Sequence, residues 1–445
     1  MSEYTAEDST KKPQHSLSTL DIISLIVGTV LGAGIFKVPS MVAAQAQSDI
    51  AILLVWAFGG LISVVGALCY AELASSFPHV GGEYHFLQRS FGRKIAFLYG
   101  WSRSTVIVTG SIAFLGITLG DYMSKILPLG DYSATIWAIL VISTLSFLNA
   151  IGIREGKTTQ NILTFIEVAG VVAIAVTGFL VDAPAATTVA STIGSNTSNL
   201  GALSLAMVFV LLTYGGWNEA AYVSSEARDQ KHGILKGLLF GLGLVTLLYL
   251  LVNLAYLHAF GPEAMGKSSA LASDLFDRAY GRESAIIFSA IVVFSCLNSI
   301  NATIIFGSRS SYALGRDWTI FKWVGEWHSS GSPRKAIFMQ AMIAILLVIF
   351  ASFARQGFDA IVEFTAPVFW LFILLVGISI FILRYKYPEI ERPYSVPLYP
   401  ILPLIFCASS AWLLWSSLAY SGVGALVGVA CLALGGIALL FEKNA

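Results

Sequence analysis

Apolar residues in this chain run in long blocks, not in the short alternations of a soluble domain. A bilayer crossing needs about 20 mostly apolar residues. Twelve blocks meet that length, at roughly 19–43, 50–76, 94–124, 133–152, 159–181, 201–226, 234–260, 283–313, 337–354, 359–384, 400–419 and 422–441. The pattern predicts an all-α integral membrane protein with 12 transmembrane helices, numbered in that order below. Connections are short, so one membrane domain is expected and no soluble one. Residues 1–17 form a polar tail without a signal-peptide core, and no cleavage is expected.

Two of the blocks carry helix-breaking residues at mid-span. "VGTVLGAGIFKVPS" (27–40, helix 1) holds Gly28, Gly32 and Gly34. "LLTYGGWNEAAY" (211–222, helix 6) holds Gly215 and Gly216. Glycine is costly in a helix interior, and broken backbone at membrane depth is tolerated only where it lines a cavity or is buried in protein. Interrupted helices at corresponding places in two halves are a sequence pointer to a transporter site. Freed amides at a half-helix start suit a carboxylate, and freed carbonyls suit an ammonium group. An amino acid carries both. Close helix packing is the competing explanation for small residues in membrane helices, and the five-helix offset between the two breaks weighs against it.

Charge orients the chain. With the N-terminus inside, 19 of the 26 lysines and arginines fall in inner loops and tails and five in outer loops; Lys37 and Arg103 lie within spans. The positive-inside rule then places both termini in the cytoplasm. Composition agrees: 56% of residues are hydrophobic, 12% are charged and the net charge is zero. No basic tract invites nucleic acid. The four cysteines and six histidines form no metal or catalytic pattern, and no phosphate-binding loop of the GxxxxGK[ST] type is present. No cofactor, metal or enzymatic activity is expected.

Five segments, in order along nearly the whole chain, carry a family resemblance. "GAGIF" (32–36), "YAELASSFPHVGGEYHFLQRSFG" (70–92), "TYGGWNEAAYVSSEARD" (213–229), "SRSSYALGRD" (308–317) and "RYKYPEIERPYSVPLYP" (384–400) resemble the amino acid–polyamine–organocation superfamily. The likeness is greatest to its L-type exchangers. It implies a LeuT-like fold, in which helices 1–5 and 6–10 form an inverted repeat. The transport core would span 18–385, and 386–445 would add helices 11 and 12 with a short cytoplasmic tail. It also implies that the substrate carboxylate meets backbone amides of Gly32, Ala33, Gly34 and Ile35, and that the ammonium group meets carbonyls near Val30, Leu212 and Gly215. Ala33 stands where the family often has serine, which leaves recognition to the backbone. Leu212 stands where many relatives have an aromatic gate. Ser111 and Phe114 on helix 3, Asn298, Asn301 and Thr303 on helix 8, and Thr365 and Phe369 on helix 10 would line a small neutral pocket. Ordinary interhelical packing is the competing reading for each.

A charge inside a span is costly and points to function. Glu167 in helix 5 falls where several relatives carry a lysine, and is a candidate proton carrier. A protonated structural glutamate is the alternative. Tyr84, Glu83 and Arg89 before helix 3, and Glu226 after the helix 6 break, are candidates for an inner gate. Lys37 would line an outer vestibule, Arg103 would pair with an acid near the inner side, and Glu363 would be solvated. The helix 3–4 loop lacks the cysteine with which L-type light chains join a heavy chain, so no disulfide-linked partner is expected.

The reading is a secondary active transporter for neutral amino acids in a cell membrane, most naturally a prokaryotic inner membrane. Its partners are an amino acid, the lipid bilayer and a coupling ion. Proton symport, exchange and sodium symport all stay open, with protons ahead of sodium. A cationic amino acid or polyamine exchanger is the alternative, and a non-transporting amino acid sensor is the alternative of another class. The sequence leaves the oligomeric state open.

Overall fold

The computed structural model describes residues 19–46, 48–79, 81–151, 157–182, 200–219, 233–328, 332–353, 357–419 and 422–442. Every regular element among the described residues is helical. Helix 1 is split into Thr19–Val30 and Gly34–Ala46, bent by 46° across the break. Helix 2 spans Asp49–Ser76, and a short connecting helix, Gly82–Phe91, leads into helix 3. Helix 3 runs as Arg93–Ser102, a π-wound turn Arg103–Ile107 and Val108–Ile126. Helices 4 and 5 span Ser133–Ala150 and Lys157–Leu180, and the first half of helix 6 spans Leu200–Thr213. Helix 7 (Gly233–Lys267) is kinked at Gly261, and the loop helix Leu271–Tyr280 follows it. Helices 8 to 12 are Arg282–Asp317, Arg334–Phe353, Gly357–Lys386, Ile401–Ala419 and Val423–Leu440.

Ten of the described helices are long and apolar enough to cross a membrane, and the bent helix 1 pair makes an eleventh. Helix 5, predicted as a span, has a shorter apolar stretch, Phe165–Leu180, and is not among these eleven. Large apolar side chains such as Phe240, Leu404 and Leu426 point out of the bundle. That is the stable arrangement where the surroundings are hydrocarbon.

Helix 1 is held at the centre by close approach. A Cβ added at Gly237 or Gly241 of helix 7 would meet Ile22 or Ile26 at 2.4 and 2.8 Å. These glycines let helix 7 lie directly against helix 1, as small residues do in membrane bundles. Helices 11 and 12 pack on helix 10, with further contact to helices 2 and 3. A buried carboxylate anchors this added part. Glu72 of helix 2 accepts Arg384 Nε and Nη2 at 2.7 and 2.6 Å and the Val396 amide at 2.7 Å, with Arg392 at 3.7 Å. A bidentate guanidinium–carboxylate pair combines charge with geometry, and here it fixes the helix 10–11 connection.

Gly216 has φ +108°, and a Cβ there would lie 2.7 Å from the Thr29 carbonyl oxygen. Gly216→Ala is therefore expected to destabilise the protein by about 1 kcal/mol or more, while Gly243→Ala, which meets nothing within 4 Å, stays neutral. Thermal melting in detergent compares the two. Equal melting points would remove the backbone constraint at Gly216.

Candidate functional site

The two breaks face each other. A Cβ on Gly34 would come within 2.9 Å of the Thr213 side chain, and one on Gly216 would strike helix 1 at Thr29. Helix 8 closes on the same place, with Ser299 Oγ 3.8 Å from a Cβ built on Gly32. After Thr213 the chain turns at 214–216 and makes one short 3-10 turn at 217–219. The second half of helix 1 restarts with Ile35 and Phe36 amides bonded to the Gly32 and Ala33 carbonyls at 3.4 and 3.2 Å. The amides before them lie at a helix N-terminus, where backbone donors lack intrahelical partners and the helix dipole favours an anion.

Two of the three expected carbonyls, those of Val30 and Leu212, are already engaged. Tyr249 of helix 7 donates its hydroxyl to the Val30 carbonyl at 2.5 Å and approaches the Thr213 carbonyl at 3.4 Å. The Leu212 carbonyl accepts the Gly215 amide at 3.1 Å. These were expected to be free for an ammonium group. Each carbonyl oxygen has a second lone pair, so a further donor still fits. Sequence reasoning missed Tyr249. The signal was present, because Tyr249, Asn253 and Tyr256 form a polar stripe of helical spacing on an otherwise aliphatic helix 7, and all three are buried. Trp56, Tyr214 and Tyr249 pack ring on ring, with centroids 5.0–6.1 Å apart, and fix the hydroxyl in place.

The predicted pocket residues divide. Val30, Ala33, Gly34 and Ile35 are buried at the break, whereas Gly32, Leu212 and Gly215 are half-buried. Asn298 is buried, and its Oδ1 is among the described buried atoms without a hydrogen-bond partner. Ser111, Thr303 and Thr365 each donate back to their own helix, at Ile107, Ser299 and Ile361. Thr365 presses against Gly110, so helices 10 and 3 touch there. Phe114 is half-buried on the same helix. Asn301 Oδ1 accepts Asn149 Nδ2 of helix 4 at 2.6 Å. A cavity of about 10 Å³ borders Gly215 on the side of helices 2, 10 and 11, with Phe369 in its wall. This is about the room of one water. It lies apart from the helix 3 and 8 residues expected to line the pocket.

Glu167 is 1% exposed and accepts the Ser295 hydroxyl of helix 8. At one end of the bundle, Lys37 donates to Asp121 at 2.7 Å and to the Ser269 carbonyl at 3.2 Å. Glu363, expected to be solvated, is half-buried, with its carboxylate beside Gly422 at the start of helix 12.

The opposite end carries the expected gate residues. Glu83 is buried and accepts Tyr70 Oη at 2.6 Å, Asn218 Nδ2 at 3.1 Å and the Tyr99 hydroxyl. Tyr84 reaches Asp317 at 3.3 Å and Trp318 Nε1 at 3.4 Å at the end of helix 8. Arg89, the third candidate before helix 3, makes no ion pair among those the described residues show. Its guanidinium lies over the Phe77 and Tyr387 rings, and its Nε donates to His85 Nε2 at 3.1 Å. Glu226 lies outside the described residues. His79 and His85 stack at 4.1 Å, and His79 Nδ1 accepts the Gly81 amide. Burial, then His79 and Arg89, push His85 down to about 4, and burial, then Arg89, lowers His79.

The comparisons give this geometry a family. The amino acid permease model matches residues 17–437. The chain belongs to the amino acid permease family and is a multi-pass membrane transport protein, not an enzyme. It is 29% identical to the b(0,+)-type amino acid transporter 1 of Mus musculus over 420 residues, which cover 93% of this chain and 84% of that one. It is 26% identical to the serine/threonine exchanger SteT of Bacillus subtilis over 440 residues, 96% of this chain and 97% of that one. Identity to the cystine/glutamate transporter of Homo sapiens is also 26%, over 389 residues, 86% and 76% of the two chains. Amino acid transport is the activity common to these proteins.

Two predictions follow from the site. Tyr249→Phe removes one buried hydrogen bond, worth about 1 kcal/mol, so amino acid flux should fall much more than the melting point. A loss of stability at unchanged flux would return the hydroxyl to packing. The histidine pair carries the second. Both rings titrate lower in the folded protein than at the unfolded value of about 6.5, so their stabilisation is complete above that pH and is lost as pH falls toward 4. The melting point should drop more steeply over that window in wild type than in His85→Gln, and parallel curves would contradict the sign.

Proposed function

We propose that this permease is a secondary active transporter of neutral amino acids, working by alternating access around the paired breaks of helices 1 and 6. The observation that carries the reading is the meeting of two glycine-broken helices, Gly34 against Thr213 and Gly216 against Thr29. The architecture proposed with it has 12 spans and both termini in the cytoplasm of a cell membrane, most naturally a prokaryotic one. Helices 1–10 (18–385) form the five-plus-five inverted repeat of the LeuT-like fold, and helices 11 and 12 flank it.

In this reading the substrate carboxylate docks on the amides of Gly32, Ala33 and Gly34, and on that of Ile35 in exchange for its 3.4 Å bond to the Gly32 carbonyl. The ammonium group meets the carbonyls of Val30, Leu212 and Gly215. Side-chain selection falls to Ser111, Phe114, Leu212, Asn298, Thr303 and Thr365, a neutral set that favours a neutral substrate over a cation. The unpartnered Asn298 Oδ1 supports this, since it offers one buried acceptor for a donor on the substrate. Tyr84, Glu83, Arg89 and Glu226 serve the inner gate.

Glu167 supplies proton coupling. Its partner, Ser295, is a hydroxyl and not a cation. A carboxylate inside the membrane is expensive unless it is paired or protonated, so a hydroxyl partner suits a group that gains and loses a proton during the cycle. Exchange without protons is the second reading, favoured by the relative named as a serine/threonine exchanger.

Liposome uptake of labelled neutral amino acids separates these readings. Vesicles are compared empty or preloaded, with and without an inward proton gradient. The expected result is gradient-dependent uptake into empty vesicles that falls at least tenfold in Glu167→Gln, the usual range for losing an acid–base group. Uptake confined to preloaded vesicles and indifferent to the gradient would assign exchange and leave Glu167 a structural role.

A further inference from the structure

Arg103 lies in the π-wound turn of helix 3, eight residues before Ser111, about 12 Å along the axis toward the end that bears the connecting helix. Short π segments inside α-helices occur often at functional sites. The guanidinium is 9% exposed. Its Nη2 donates to both carboxylate oxygens of Glu219, at 2.9 and 3.2 Å. Nε reaches Ser310 Oγ of helix 8 at 3.3 Å, and Nη1 lies 3.4 Å from the Tyr99 hydroxyl and 3.9 Å from Glu83 Oε2. One cation thus joins helix 3, helix 8, the connecting helix and the segment that follows the helix 6 break.

Its two acids are unlike. Glu83 is 3% exposed and is held by the hydroxyls of Tyr70 on helix 2 and Tyr99 on helix 3, neither of which belongs to helix 6, while Asn218 of the helix 6 segment supplies a third donor. Glu219 is 35% exposed and sits three residues beyond Gly216, the residue of positive φ at the break. If the helix 6 segment moves, Glu219 moves with it and Glu83 stays.

We propose that Arg103 and Glu219 form a releasable lock that holds the cytoplasmic route closed, with Glu83 as the standing counter-charge that keeps Arg103 in place on release. The inference rests on the alternating-access reading above. A buried cation stripped of its partner would be strongly destabilising. Glu83 removes that barrier, so opening costs the two bonds to Glu219 and the neutral Asn218–Glu83 bond, and not a bare charge. Arg103 acts as a positioning residue in this scheme.

Accessibility tests the lock without any substrate. Ser63, buried on helix 2, lines the small cavity beside Gly215, Trp217 and Asn218. A membrane-impermeant maleimide is applied to Ser63→Cys from the cytoplasmic face in inside-out vesicles, with the protein lacking this cysteine as background. Glu219→Gln should raise the labelling rate about tenfold or more, as expected for losing hydrogen bonds between charged groups. Labelling from the outer face should not rise. Arg103→Gln combined with Glu219→Gln should label no faster than either single variant, because coupled partners are non-additive. Arg103→Lys, which keeps the charge and loses the fork, should fall between. Unchanged labelling in Glu219→Gln, equal increases from both faces, or additive effects would overturn the lock. Failure of the transport reading would show separately, as absent uptake by wild type in the liposome assay.

Discussion

Lipid offers the backbone no hydrogen bonds, so every peptide group freed inside the membrane must find a partner within the protein. This constraint shapes the centre of the molecule. Helix 1 loses its regular bonding at mid-length and helix 6 loses it after Thr213, and neither break could face lipid. Each is covered by the other, by helix 8 at Ser299 and by helix 7 at Tyr249. The Val30 carbonyl, released where helix 1 stops, is taken by a phenolic hydroxyl that an aromatic cluster holds still. In the proposed function the same stretch would offer backbone dipoles to a zwitterion, with Tyr249 as the partner that satisfies the Val30 carbonyl when none is bound.

Charges obey the same logic one step further from the centre. Lys37 is paired with Asp121, Arg103 with Glu219 and Glu83, and Glu72 with Arg384 and Arg392. Each pair joins elements distant in sequence, so each restricts how those elements move. The Glu72 cluster has both an amide and a bidentate guanidinium on one carboxylate, and it ties down a connection. The Arg103 cluster divides one guanidinium between two acids of unequal burial. A saturated cluster resists motion, and a shared one permits exchange of partners.

Much of the fold was legible in the chain because hydrocarbon imposes a coarse rule. Length and polarity alone delimit segments such as Asp49–Ser76 and Arg334–Phe353. The breaks in helices 1 and 6 were legible because glycine pairs at mid-span have few other uses. What was not legible depends on pairing in three dimensions. Arg89 was legible as an inner-gate candidate, but its contacts with Phe77 and Tyr387, just past the ends of helices 2 and 10, were not. The bond between Asn301 and Asn149 of helix 4 was equally hidden. So was the approach of the start of helix 12 to the half-buried Glu363. Periodicity assigns a residue to a helix face, but the neighbour on that face comes from a remote segment.

The position of Glu167 shows why this distinction matters for mechanism. The family resemblance marks its location as one where relatives carry a cation, and an acid there reverses the local charge. Reversal alone does not specify a role, because an acid could meet a new cation and become a structural pair, as Glu72 does. Its partner is instead Ser295, which can donate to a carboxylate or accept from a carboxylic acid with little rearrangement. A hydroxyl partner tolerates both protonation states, whereas a cation partner tolerates one. Helix 8 carries Ser295 on the same element as Ser299, which lies against the helix 1 break. In the proposed cycle, a change of proton occupancy at Glu167 would act on the element that also lies against the helix 1 break, which is the minimum physical link that coupling requires.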